Sequence, residues 1–147
     1  MSLSEWERNG WLKPHSTSRE EVQNLLKIIE RDLQDCQVEN VSEDWRFAIA
    51  YNAALQCCTV ALYCSGYKPA RGQSEHYRVI QSLPLTLGSD YEELYHYLNA
   101  CRAKRNVSDY DAAGTISKGE VAELISSARE LYSDLRKWLQ NHYPAYF

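Results

Sequence analysis

At 147 residues, 44% apolar and 24% charged, the chain has the length of one domain and the balance of a globular protein, which argues against disorder. Its formal net charge of −4 excludes a protein that coats nucleic acid or anionic membrane nonspecifically. Any nucleic-acid contact must be local, and the densest basic cluster is Arg102, Lys104 and Arg105, with Lys68 and Arg71 a weaker second.

Residues 1–15 read as an N-terminal arm without the apolar run of a signal peptide, and Trp6 and Trp11 on it either clamp the body or reach a partner subunit. Ser16-Thr17-Ser18 followed by Arg19-Glu20-Glu21 starts a helix, with acidic groups where the helix dipole favours them. The stripe Val22, Leu25, Leu26, Ile29, Leu33, Cys36 carries it over 18–37. Ser42 caps a second helix whose apolar residues, from Trp45 and Phe47 to Val60 and Leu62, cover most of its circumference. Such a helix is packed on several sides. Asn52, Gln56, Thr59 and Ser65 recur along it, as in a core helix rather than a membrane span.

Gly66 stops that helix, and Gly66-Tyr67-Lys68-Pro69-Ala70-Arg71-Gly72 reads as a loop. A short third helix over 74–83 is broken by Pro84, and residues 85–88 connect it to a fourth, capped by Ser89 and running over 90–109. Residues 111–115 are a short connection. Ser117 and Glu120 then form a capping box for a long last helix that ends before Pro144. The expected fold class is all-α, an antiparallel bundle of four to five helices in a single domain over 1–147, with the bundle at 16–142 and a tail at 143–147.

The fourth helix holds the unusual feature. Tyr91, Leu94, Tyr95 and Leu98 recur at core-facing spacing, and the same stripe carried on at about 100° per residue reaches Arg102, Arg105 and Asp109, with Asn106 at its edge and Tyr110 near it. Charge at half-buried positions is costly unless paired or put to use. One explanation is an Arg102–Asp109 ion pair stitching this helix to a neighbour; the other is a site. Tyr91, Tyr95 and Tyr97 read as core or dimer-seam residues ahead of base-stacking ones.

The five cysteines, Cys36, Cys57, Cys58, Cys64 and Cys101, contain no C-x-x-C pair and read as reduced thiols of a cytoplasmic core. The histidines at 15, 76, 96 and 142 show no paired-ligand spacing, so neither a metal nor another cofactor is expected.

Three stretches carry a family resemblance: Asp44-Trp45-Arg46 through Tyr51-Asn52-Ala53-Ala54-Leu55; Gly66-Tyr67-Lys68-Pro69 with Glu75-His76-Tyr77; and Arg102-Ala103-Lys104-Arg105-Asn106-Val107-Ser108-Asp109-Tyr110. In their order and spacing the chain resembles, over residues 16 to 142, the stand-alone prokaryotic members of the HEPN family. The resemblance implies a helical bundle, commonly homodimeric, whose fourth-helix segment lines a cleft. It implies either a metal-independent ribonuclease of toxin–antitoxin or phage-defence systems, or a module that binds RNA, a nucleotide or a nucleotidyltransferase-type partner protein. The nuclease subset carries an Arg and a His separated by four to six residues. This chain departs from it: no histidine lies between His96 and His142.

That departure matters chemically. Metal-free RNA cleavage needs a base for the ribose 2′-hydroxyl, an acid for the leaving oxygen and a cation for the phosphorane. Arg102 with Asp109 is the candidate catalytic pair, but an aspartate beside arginines is a weak base. Arg105, Asn106 and Tyr110 are candidate binding residues, and His76 is a candidate to supply the missing imidazole from another helix. The residues therefore favour a noncatalytic or weakly active binding module, with ribonuclease activity as the alternative.

Overall fold

The computed structural model describes residues 1–72, 74–110 and 112–147, those at 109 and 110 by backbone alone. In chain order the elements are α1 (Leu3–Arg8), β1 (Leu12–Pro14), α2 (Arg19–Asp35), α3 (Glu43–Cys64), β2 (Tyr67–Pro69), α4 (Glu75–Gln81), α5 (Leu83–Thr86), α6 (Glu92–Tyr110) and α7 (Lys118–His142). Single 3-10 turns at Ser89–Tyr91 and Pro144–Tyr146 complete them. Helices dominate, as an all-α reading requires.

The caps sit where side-chain chemistry put them. Ser18, Ser42 and Ser117 accept from the backbone N–H groups of Glu21, Trp45 and Glu120, and Ser117 with Glu120 completes the capping box. The α3 helix is the centre of the fold. It packs most extensively against α2 and α7, and Phe47, Tyr51, Val60 and Leu62 are among its fully buried side chains. By length and composition α3 passes for a membrane span, yet 72% of its apolar window is buried inside the fold, as in a core helix. Burial pushes the Cys58 thiol up to about 12, and all five cysteines are buried thiols.

Cross-helix bonds give the directions. Asn52 donates to Asp32 at 2.7 Å and Arg46 Nε to the Cys36 carbonyl at 2.8 Å, so α2 and α3 run antiparallel. Tyr91 donates to Asp134 at 3.0 Å while Lys104 near the other end of α6 bonds Glu120, so α6 and α7 are antiparallel too. The start of α7 lies at the start of α3, where the Gly114 N–H donates to Asp44 at 2.8 Å. Consecutive long helices thus alternate in direction, and the parallel pair α3 and α7 packs through the middle.

Five expectations need correction. The arm at 1–15 is part of the fold: α1 carries the buried Trp6, and β1 pairs antiparallel with β2 in the register Leu12↔Pro69, Lys13↔Lys68, Pro14↔Tyr67. The segment after Gly66 is therefore a strand at its start, reached because Gly66 adopts φ +96 and reverses the chain. Pro84 does not end a helix; it lies in the first turn of α5, where its missing N–H costs nothing. Ser89 is no cap, since a 3-10 turn intervenes and α6 begins at Glu92. Trp45 does not join the core, being 60% exposed.

A candidate phosphate cleft between α4 and α6

The buried seam of α6 runs through Tyr95, Leu98, Cys101 and Ser108, one residue out of step with the polar stripe expected from the sequence. The offset leaves Arg102 and Arg105 half-buried on the flank of the seam, with Asn106 exposed beside them. Opposite stands α4, held against α3, and its first turn brings Glu75, His76 and Tyr77 to the same place. Between the two helices lies a cleft of about 270 Å³, lined by His76 and Tyr77 on one side and Arg102, Arg105 and Asn106 on the other. Glu75 and Gly72 close its rim. Thus four of the six sequence-derived site residues, Arg102, Arg105, Asn106 and His76, converge. The side chains of Asp109 and Tyr110 lie outside the described residues.

Arg102 is held by two neighbours: its Nε donates to Asn99 Oδ1 at 3.1 Å, and its Cζ lies 5.5 Å from the centroid of the Tyr77 ring. The Tyr77 hydroxyl is in turn 3.3 Å from that of Tyr95. Among the described residues Arg102 makes no salt bridge, so its terminal nitrogens can serve an anion. Lys104, the third member of the basic cluster, points elsewhere and pairs with Glu120 at the start of α7.

The residue that sequence reading missed is Tyr51. Its ring, 1% exposed, lies 5.4 Å from Arg105 Cζ and 6.2 Å from the His76 ring, and its hydroxyl has no hydrogen-bond partner among the described residues. A buried hydroxyl without a partner is costly. Burial pushes its pKa up, against the pull of Arg105 and Arg102. The one signal in the sequence was a large hydroxyl-bearing residue set among the alanines of α3.

His76 is exposed, yet desolvation by the protein around it lowers its pKa below the usual 6.5, and the charge of Arg105 adds to the effect while Glu75 opposes it. The cleft therefore combines two guanidiniums, a carboxamide and an imidazole that is neutral at neutral pH. Such a set can clamp a phosphate and take a proton from a hydroxyl. Among the described residues no three His, Cys, Asp or Glu side chains gather in a way that would hold a metal ion.

Comparison of the chain with protein-family models, with curated proteins and with solved structures finds no match.

Proposed function

We propose that this protein is a HEPN-like module that holds a phosphate of RNA or of a nucleotide in the cleft between α4 and α6. The observation that carries the reading is the convergence of Arg102, Arg105 and Asn106 with His76 over the buried Tyr51 hydroxyl. Arginine matches phosphate geometry through paired donors, and the Tyr77 ring in the cleft wall, with Tyr51 buried behind Arg105, lowers the local dielectric and strengthens each contact. The test is retention of short RNAs and of mononucleotides by the metal-chelated protein across a salt series. Retention that falls with salt and is lost in Arg102→Gln supports the reading; no retention at low salt refutes it.

Metal-independent endoribonuclease activity is the second reading, and the position of His76 favours it. The neutral imidazole takes the 2′-hydroxyl proton as the 2′-oxygen bonds to phosphorus, Arg102 and Arg105 neutralise the phosphorane, and the P–O5′ bond breaks. The leaving 5′-oxygen collects its proton from water, which reaches the cleft at the exposed His76 and Asn106. A 2′,3′-cyclic phosphate end on the product would identify this chemistry.

A homodimer in a reducing, cytoplasmic setting belongs to the same reading, as does a nucleotidyltransferase-type partner protein. The exposed Trp45 and Val107 support an interface, and light scattering at high micromolar concentration tests it.

A further inference from the structure

Arg78, one residue beyond Tyr77 on α4, occupies an aromatic setting of its own. Its Cζ lies 3.9 Å from the centroid of the Trp11 ring and 5.8 Å from that of Trp6, and its Nη1 donates to Gln81 at 2.9 Å. Trp6, 5% exposed, meets Trp11 edge-on at 5.9 Å, so α1 and the turn between it and β1 hold the guanidinium in place. Among the described residues Arg78 makes no salt bridge, although Glu92 stands across the same groove.

That groove, about 300 Å³ and lined by Trp11, Arg78, Gln81, Glu92 and Tyr95, is linked to the phosphate cleft through the Tyr77–Tyr95 hydroxyl pair, Tyr77 lining the cleft and Tyr95 the groove. Arg78 Cζ is 5.6 Å from the Tyr77 ring and Arg102 Cζ is 5.5 Å from the same ring. The two guanidinium carbons therefore lie no more than about 11 Å apart. One nucleic-acid strand advances ~3.4 Å along its axis per phosphate, so this separation is the reach of a few nucleotides.

We propose that the strand held at Arg102 continues over Tyr77 to a second phosphate station at Arg78, so that the chain grips a single-stranded oligonucleotide by two phosphates. The proposal rests on the phosphate reading of the first cleft and adds to it a ligand class and a direction. Both stations are guanidiniums steadied by aromatic rings, which keeps their donors oriented. The half-buried Trp11 ring beside the second station suits a base or sugar better than bare phosphate. A free polyphosphate chain has the same charge chemistry and is separated by the experiment.

The experiment measures binding of the full chain to 5′-mononucleotide, tripolyphosphate, and single-stranded tetranucleotide, for wild type, Arg78→Gln and Arg102→Gln. The expected result is a tetranucleotide bound at least ~10-fold more tightly than mononucleotide, because the second contact is intramolecular. Arg78→Gln removes that gain and leaves mononucleotide binding unchanged, whereas Arg102→Gln removes mononucleotide binding. The length series on wild type needs no variant and stands if Arg78→Gln fails to fold. A wild type that binds mononucleotide and tetranucleotide equally, or tripolyphosphate as tightly as tetranucleotide, overturns the second station and leaves the first intact. A gain that persists in a folded Arg78→Gln overturns it as well. Failure of wild type to bind any of the three overturns both.

Discussion

Arg105 of α6 stands over Tyr51 of α3, its guanidinium carbon 5.4 Å from the ring, while the Tyr51 hydroxyl beneath lies buried without a hydrogen-bond partner among the described residues. The cation over the aromatic face is favourable, whereas the buried hydroxyl without a partner is costly for packing. Tyr51→Phe separates packing from binding. Thermal stability should stay unchanged or rise, by up to about 1 kcal/mol, because the lost hydroxyl had no partner among the described residues. Phosphate retention, measured by calorimetry, should change little in the same variant, because Tyr51 supports Arg105 from behind the cleft lining and the substitution keeps its ring.

The pKa of His76 gives a prediction with a definite sign. In the folded chain desolvation and then Arg105 hold it below 6.5. Protonation is thus disfavoured by folding, and the His76 contribution to stability is full above the unfolded value and declines as pH falls through it towards the folded one. A bound phosphate reverses the local field and raises the pKa, so binding takes up a proton. Retention should tighten as pH falls from 7 through the folded value, and histidine NMR should show the His76 midpoint below 6.5 without ligand and higher with it. A midpoint above 6.5 in the unliganded chain would contradict the electrostatics described.

Lys104 tests whether the basic cluster acts as one patch. It pairs with Glu120 and is 53% exposed at its side chain, so Lys104→Ala should cost at most about 1 kcal/mol of stability. Phosphate retention should change little, in contrast to Arg102→Gln. Equal losses in the two variants would mean a diffuse patch in place of a cleft.

Leu12 tests whether the N-terminal strand belongs to the fold. It is 2% exposed, and Leu12→Ala should destabilise the chain by about 2–5 kcal/mol in chemical denaturation. A peripheral arm would give almost no change.

Three of the long helices, α2, α3 and α7, were legible because each begins with a serine cap and carries a sustained stripe, as in α2 and α7, or is apolar nearly all round, as in α3. The two-stranded sheet was not. Each strand is three residues long and ends in proline, too short for alternation to register, and its pairing depends on α1 and on the reversal at Gly66. The site was half legible. A stripe turning charged marked Arg102 and Arg105, but extrapolating the period placed the buried seam one residue away from Cys101 and Ser108. That His76 meets them follows from how α4 packs across α3 and α6, a tertiary fact with no local signature. Tyr51 was hidden for the opposite reason, since a buried tyrosine on the central helix reads as core until its neighbours are known.

The most direct measurement is retention and cleavage of mixed short RNAs by metal-chelated wild type and Arg102→Gln over a salt series, with thermal melting alongside. The account predicts salt-dependent retention by wild type, its loss in Arg102→Gln at nearly unchanged melting temperature, and a salt slope lower by about one in any residual binding. Equal retention by the two proteins, or none by wild type at low salt, would contradict it.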